Sequence, residues 1–173
     1  EMNGNMSELD SILAAFGNMR VNNTEIMKQA EAAILEYMHN PSCVNSFFAI
    51  LLHCDTPVYR QMAALFLRRV IGIYWSGMSS QDKEEIKSQV LKALRKEPFH
   101  LARRAICGVV SKIGSIELEA QQWPEVLNAI NSFISSAEAS ERETGMLLLY
   151  SLHEVISKYI TNENLVSVLQ MGI

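Results

Sequence analysis

The sequence has few residues that interrupt helices and no run that could cross a membrane. Its 173 residues include only 4 prolines, which suits long helices, and no stretch alternates apolar and polar residues as a strand does. The apolar run Phe47 to Leu52 is far shorter than the roughly 18 to 20 residues of a membrane span. The amino end lacks the basic and apolar regions of a secretory signal. We expect an all-α protein without membrane insertion.

Cysteine is also scarce, with three residues at Cys43, Cys54 and Cys107. An odd number with no Cys-x-x-Cys spacing indicates free thiols in a reducing compartment, buried within helices. His53 beside Cys54 and His39 before Cys43 are possible metal-ligand pairs, but Pro41 separates the second pair and no zinc-type spacing follows. We expect no metal site.

The motifs of common enzyme families are missing as well. There is no Gly-rich phosphate loop, no Gly-x-Ser-x-Gly elbow and no His-Glu-x-x-His pair. Glu84 and Glu85 lie in a Lys-rich helical pattern, where solvated carboxylates are the simplest interpretation. We expect no catalytic residues, no cofactor and no enzymatic activity.

What the sequence does contain is a repeated pair of amphipathic helices. First (A-type) helices are predicted to start near 7, 41, 80 and 123, and second (B-type) helices near 23, 57, 98 and 140. The spacing of roughly 34 to 43 residues is typical of HEAT or armadillo units, which must stack to bury their apolar faces. The fold class is therefore predicted to be a right-handed α-solenoid of about four HEAT pairs plus the start of a fifth. A single domain, 1–173, is expected, with repeats at 7–39, 40–78, 79–115, 116–160 and an incomplete 161–173, as the amino-terminal fragment of a longer solenoid.

Local signals set the expected helix ends. Asp55 is expected to cap or brace the turn before Pro57, and Ser79 to Asp82 resembles a capping box. Gly17 and Gly114 are expected to end helices, leaving a variable linker over 115–122. Trp75 and Trp123 occupy packing positions, which favours core contacts over platforms for nucleic-acid bases.

Charge is arranged in three blocks. Residues 1–56 hold 2 basic and 7 acidic residues (−5), residues 57–115 hold 11 and 4 (+7), and residues 116–173 hold 2 and 8 (−6). In a solenoid the middle block would form a continuous basic band. The lysines of the third A helix are interpreted as a solvated face: Lys83, Lys87, Lys92 and Lys96. The arginine pairs on two B helices are better suited to specific contacts, because guanidinium groups bind bidentately.

A set of motifs in fixed order resembles one family. The motifs are Asn40-Pro41, Val58-x-Arg60-Gln61-x-Ala63-Ala64-x-x-Leu67 with Arg68-Arg69 and Trp75, Arg103-Arg104-Ala105, Trp123-Pro124-Glu125-Val126-Leu127, and Arg142-Glu143-x-Gly145. Over residues 7 to about 170 the chain resembles the amino-terminal repeats of the importin-beta (karyopherin-beta) superfamily of nuclear transport receptors. It is most similar to the importin-four-like branch.

The resemblance implies a function in nucleocytoplasmic protein transport. Its B helices would line a concave surface that binds the small GTPase Ran in its GTP form and couples this to cargo release or loading. The candidate Ran-binding residues are Arg60, Gln61, Arg68, Arg69, Arg103, Arg104, Lys112, Glu154 and Lys158. Further implied partners are cargo proteins with basic signals and nucleoporins, and the protein would be a monomer that shuttles between cytoplasm and nucleus.

Two other functions remain open at this point. A HEAT-repeat scaffold or regulatory subunit would have the same helix pattern. A nucleic-acid-binding HEAT protein would use the basic band, but only Tyr59 and Tyr74 offer aromatic rings beside it, so no specific nucleic-acid binding is expected. Arg60 and Arg103 also have a structural alternative, which is to brace the turn before their own helix.

Overall fold

The computed structural model describes residues 7–159, which form two compact units that meet in the sequence between Met78 and Ser79. Eight α-helices and no strand occur in that described part. The predicted all-α class of helix pairs is thereby confirmed. No helix within it is both long and apolar enough to span a membrane. The predicted start of a fifth pair lies outside the described residues.

The first unit contains two helix pairs around an aromatic core. Its helices are α1 (Glu8–Asn18), α2 (Thr24–Tyr37), α3 (Cys43–His53) and α4 (Pro57–Tyr74), followed by a 3₁₀ turn at Trp75–Gly77. α1 packs on α2 and α3 packs on α4. Phe16, Phe47 and Phe66 stack with ring centroids 5.6–6.3 Å apart, so aromatic packing joins helices of both pairs.

The second unit also contains two pairs. Its helices are α5 (Ser80–Lys96), α6 (His100–Glu117), α7 (Glu125–Ile134) and α8 (Ala139–Tyr159). α5 packs on α6, α7 packs on α8, and the two B helices, α6 and α8, pack on each other. Fully buried apolar side chains from all four helices form this core, including Leu94, Ile106, Phe133 and Leu148.

Three helices begin at a side-chain cap, among them the helix after the predicted capping box at Ser79. The side chains of Ser7, Asn23 and Ser79 each accept a hydrogen bond from a backbone N–H of the first turn. Asp55 does not cap α4, since Thr56 occupies the N-cap and makes no side-chain cap bond. Its carbonyl oxygen does help to brace the turn, because it accepts a hydrogen bond from Arg60. Pro57, the first residue of α4, has no backbone N–H, so this helix start has one fewer donor without a hydrogen-bond partner.

Both glycines that were expected to end helices lie inside them. α1 continues past Gly17 to Asn18, and α6 continues past Gly114 to Glu117. At Gly114 the methyl Cδ1 of Leu152 lies only 3.0 Å from where a Cβ would be, so the glycine lets α8 approach α6 closely. The linker between the third and fourth pairs is consequently shorter than predicted, beginning at Leu118.

Lys87 corrects the prediction of a solvated lysine face on α5. It is only 3% exposed, and its Nζ lies 3.0 Å from Oε2 of Glu117, which is 4% exposed, and 3.3 Å from the carbonyl oxygen of Gln122. Burial alone would lower the pKa of Lys87, but its bonds to Glu84 and Glu117 outweigh burial and raise the pKa. Lys87 therefore stays charged at neutral pH and ties α5 to the loop after α6.

The cysteines and tryptophans mostly follow expectation. Cys43 and Cys107 are free and buried, and burial raises their thiol pKa values to about 11 and about 12. Cys54 was predicted to be buried but is half-exposed, because it lies at the C-cap of α3. Trp75 and Trp123 are each 2% exposed, which confirms their core role. Across residues 7–159 no three His, Cys, Asp or Glu side chains converge to hold a metal ion.

Gly145 provides a test of the packing between α7 and α8. A Cβ there would lie 2.8 Å from the backbone nitrogen of Ile134 and 2.9 Å from Cβ of Phe133, so backbone would have to move. We expect Gly145→Ala to lower the free energy of unfolding by about 1 to 3 kcal/mol, although alanine favours helix. Gly77→Ala is the matched control, since no atom lies within 4 Å of its Cβ position. Urea denaturation measures both, and equal stability of the two variants would contradict the packing.

The Lys87–Glu117 pair provides a second test. Lys87→Met leaves the Glu117 carboxylate buried without its cation, so we expect a loss of about 3 to 5 kcal/mol in the free energy of unfolding. The double variant Lys87→Met with Glu117→Leu removes both charges and should recover most of that stability. Thermal and urea unfolding of the three proteins checks this. A single variant as stable as the unsubstituted chain would show that the pair is not buried in solution.

Candidate functional site

The B helices contain the predicted site residues, and each unit is described separately. We call the exposed side of α4 at Leu65, Arg68, Arg69 and Ile73 the α4 face; it belongs to the first unit. We call the exposed side of α6 and α8 at Leu101, Arg104, Met146 and Tyr150 the α6–α8 face; it belongs to the second unit. Both faces combine apolar and charged side chains.

Arg60 and Arg103 bind the backbone of the turns before their own helices. Nη1 of Arg60 donates to the carbonyl oxygens of Cys54 and Asp55 at 2.9 and 3.0 Å. Nη1 of Arg103 donates to the carbonyl oxygen of Glu97 at 3.2 Å. Both side chains are half-buried. The expected bracing role is therefore observed, with carbonyl oxygens as the acceptors.

Arg142 repeats this contact in the fourth pair, although the sequence analysis did not single it out for this role. Its Nη1 donates to the carbonyl oxygens of Ser136 and Ala137 at 2.9 and 2.6 Å. Like the other two arginines it is the fourth residue of its B helix and reaches back five or six residues. We call these three contacts the arginine clasps. The predicted helix starts at 57, 98 and 140 did not show this shared position, which appears only with the observed starts at Pro57, His100 and Ala139.

On α4 the remaining candidates differ in exposure. Gln61 is half-buried, whereas Arg68 and Arg69 are exposed. No ion pair holds either arginine among residues 7–159. Leu65 is 51% exposed and Ile73 is 58% exposed on the same side of the helix. The α4 face thus has two available guanidinium groups between two exposed aliphatic side chains, which is a composition suited to protein recognition.

In the second unit the charged candidates are spread along α6 and α8. Arg104 and Glu154 are exposed, and Lys112 is half-buried. Lys158 is exposed, and its Nζ lies 3.9 Å from Oε1 of Glu119. The attraction between these two charges is weak, because the distance is long and both side chains are in contact with solvent. Among the candidates of the second unit, Arg104 is therefore the exposed arginine.

A hydrogen bond joins the beginnings of α6 and α8. Nε2 of His100 lies 3.2 Å from Oε1 of Glu143. This bond lowers the pKa of Glu143, and the charges of His100, Arg104 and Arg103 add to the effect. Glu143 is therefore ionised at neutral pH and offsets positive charge at the start of α6.

Exposed apolar side chains are the functional candidates that the sequence analysis missed. In the described part of the second unit the large ones are Leu101 at 50%, Met146 at 55% and Tyr150 at 78%. All three lie on B helices. The periodic apolar pattern alone does not separate Leu101 and Met146 from the buried stripe of their helices, so their exposure is evident only in the structure.

Comparison with known proteins finds similarity to importins, through two family models and several relatives. The family model described as "Importin-beta N-terminal domain" matches residues 30–96, and the one described as "IPO5-like, TPR repeats" matches residues 98–171. "Probable importin subunit beta-4" of Schizosaccharomyces pombe is 28% identical over 149 residues, or 86% of this chain and 14% of that protein. "Importin-4" of Mus musculus is 29% identical over 126 residues, or 73% and 12%. The chain thus spans only 12 to 14% of the length of these relatives.

Solved structures share the fold. A crystal structure of Kap121p matches with a TM-score of 0.71 and 18% identity, covering 86% of this chain and 14% of that one. A crystal structure of Kap121p bound to RanGTP matches with the same TM-score and 17% identity, covering 88% and 16%. At this identity the likeness establishes the fold and not the contacts.

The arginine clasps can be tested separately from any binding role. Arg60→Ala leaves two carbonyl oxygens of the α3–α4 turn without their charged donor, so we expect a loss of about 1 to 3 kcal/mol in the free energy of unfolding. Arg69→Ala on the same helix is the control and should change stability by less than about 0.5 kcal/mol. Urea denaturation distinguishes the two. If both substitutions had the same small effect, Arg60 would be available for a partner instead.

Proposed function

Because the chain belongs to the importin-beta superfamily, we propose that it is the Ran-binding amino-terminal region of a nucleocytoplasmic protein transport receptor. The observation that supports this most is the α4 face, where Arg68 and Arg69 are exposed between Leu65 and Ile73. Exposed arginines beside exposed apolar side chains are the usual composition of an interface hot spot. The related Kap121p has been crystallised with RanGTP, which supports Ran as the partner.

The proposed function requires selective binding and no chemical step. A GTPase presents ordered switch segments only while the γ-phosphate holds them, so a surface that fits those segments distinguishes the GTP form from the GDP form. Arginine is suited to this task because its planar guanidinium binds carboxylates and carbonyl oxygens in fixed geometry. On α6 and α8 the proposed contacts include Arg104 and Glu154.

The arginine clasps limit which of the candidate residues take part. Arg60 and Arg103 already donate to turn carbonyl oxygens, so binding a partner through them would cost those bonds. We therefore assign the main charged contacts to Arg68, Arg69 and Arg104. Gln61, Lys112 and Lys158 are placed at the edge of the proposed interface, where solvent weakens each contact.

In the whole receptor, binding of Ran would be coupled to binding of cargo with basic signals elsewhere in the chain. Stacked repeats contact only their neighbours, so a change in one pair passes to the next through helix packing. Contacts with nucleoporins and shuttling between cytoplasm and nucleus belong to the same proposal. A scaffold with this fold would lack selectivity for the nucleotide state of Ran.

Titration of the chain with Ran tests the proposal. We expect binding to Ran locked in its GTP form and at least about tenfold weaker binding to the GDP form, measured by calorimetry or interferometry. The charge reversals Arg68→Glu and Arg69→Glu together should weaken binding by about 1 to 3 kcal/mol, because two guanidinium contacts become repulsive or unpaired.

The control is charge reversal on an A helix, Lys92→Glu, which changes the net charge by two units at an exposed site of α5. It should leave affinity within about twofold once salt screens long-range attraction. Equal binding to both nucleotide forms, or none to either while circular dichroism shows an intact helical fold, would favour the scaffold function. Tight binding to RNA or DNA that weakens steeply with salt would favour the nucleic-acid function.

A further inference from the structure

The second unit concentrates its exposed apolar surface on two packed helices. Leu101, Met146 and Tyr150 are the large apolar side chains that are exposed in the described part of this unit. All lie on α6 or α8, and none lies on the A helices α5 and α7. Single exposed apolar residues are common on protein surfaces, whereas a group of them on neighbouring helices is typical of a binding surface.

The register between α6 and α8 places these side chains near one another. His100 contacts Glu143, Cys107 Sγ lies 4.0 Å from the carbonyl oxygen of Thr144, and Leu152 covers Gly114. The helices therefore run in the same direction with an offset of about forty residues. With this offset and a rise of 1.5 Å per residue, Leu101 and Tyr150 are about 10 to 15 Å apart along the helix axes, and Met146 lies between them.

The exposed residues of α6 confirm that the three share one side. Only His100, Leu101 and Arg104 are exposed on α6, and His100 touches α8 through Glu143, three residues before Met146. The exposed strip of α6 thus borders the exposed strip of α8. Tyr150 stacks on His153 one turn later, with ring centroids 5.9 Å apart, so its ring is held in place while 78% of the residue stays exposed.

The charged side chains around this face carry both signs. The hydrogen bond from His100 lowers the pKa of Glu143, and the charges of Arg104 and Arg103 add to this effect. Arg103 and Arg142 donate to backbone carbonyl oxygens, which are neutral, so both arginines keep their positive charge. A partner would therefore meet an apolar centre with a charged border, and substitutions of the apolar side chains leave that border unchanged.

We propose that Leu101, Met146 and Tyr150 are the apolar anchor of the interface with GTP-bound Ran, and that Tyr150 contributes more binding energy than any arginine of α6. This inference rests on the proposed function, since it names the residues by which the second unit holds the same partner. Interface hot spots are enriched in tyrosine and arginine and lie where water is excluded. The patch presents on the order of 300 Å² of apolar surface, which suits the centre of a larger interface and not a complete one.

The experiment compares alanine substitutions in the whole 173-residue chain. Tyr150→Ala and Met146→Ala, alone and combined, should weaken binding to GTP-locked Ran at least about tenfold for the pair. The loss should be the same at about 50 and 300 mM salt, because apolar contacts are not screened. Tyr150→Phe should keep most of the affinity, since the ring and not the hydroxyl is the anchor. Leu9→Ala, at an exposed apolar site of α1, is the matched control and should bind as the unsubstituted chain does.

Thermal unfolding confirms that the variants are folded, and no change is expected because the substituted side chains are exposed. If the unsubstituted chain binds GTP-locked Ran and the double variant binds within about twofold, the anchor is wrong and the proposed function stands. A larger loss from Arg104→Ala than from Tyr150→Ala would also overturn it. If the unsubstituted chain does not bind GTP-locked Ran at all, the proposed function and the anchor both fail.

Discussion

The helices of this chain are amphipathic, and a single helix pair cannot bury all of its apolar surface without a neighbouring pair. This constraint explains why α6 packs on α5 within its pair and on α8 of the next pair. These contacts require close approach, which Gly114 permits between α6 and Leu152 of α8, and Gly145 permits between α8 and Ile134 of α7. Because burial of apolar area is the main stabilising term, the glycines are as important to the second unit as its leucines and valines.

The turns impose the other constraint, since a tight turn leaves backbone carbonyl oxygens without partners. An arginine at the fourth position of α4, α6 and α8 supplies the donor each time. One guanidinium can satisfy two carbonyl oxygens from a single side chain, which an ammonium does less well. This use of Arg60 and Arg103 explains why only part of the basic block in the sequence is available for a partner. On α4 and α6 the exposed arginines are Arg68, Arg69 and Arg104.

Periodicity predicted the helix pairs well, because amphipathic spacing and caps at Ser7, Asn23 and Ser79 are local properties. Details that depend on tertiary contacts were not predictable in the same way. Gly114 has the sequence appearance of a helix end, yet its neighbour across the core decides its role. Lys87 has the appearance of a solvated lysine, and only its approach to Glu117 at 3.0 Å shows that it is buried. The family resemblance predicted that the B helices would bind a partner. The structure then distinguished the exposed arginines of these helices from those that bind turn carbonyl oxygens.

The two faces imply different physical behaviour. The α4 face has exposed arginines, so attraction through it acts over a Debye length and should mainly raise the rate of association. The α6–α8 face has three large exposed apolar side chains, whose contacts act only at short range, so this face should mainly slow dissociation. Such a division allows rapid encounter without very tight charge pairing. If the switch segments of the partner became disordered, the partner would lose its contacts with the α6–α8 face. Its dissociation would then be faster.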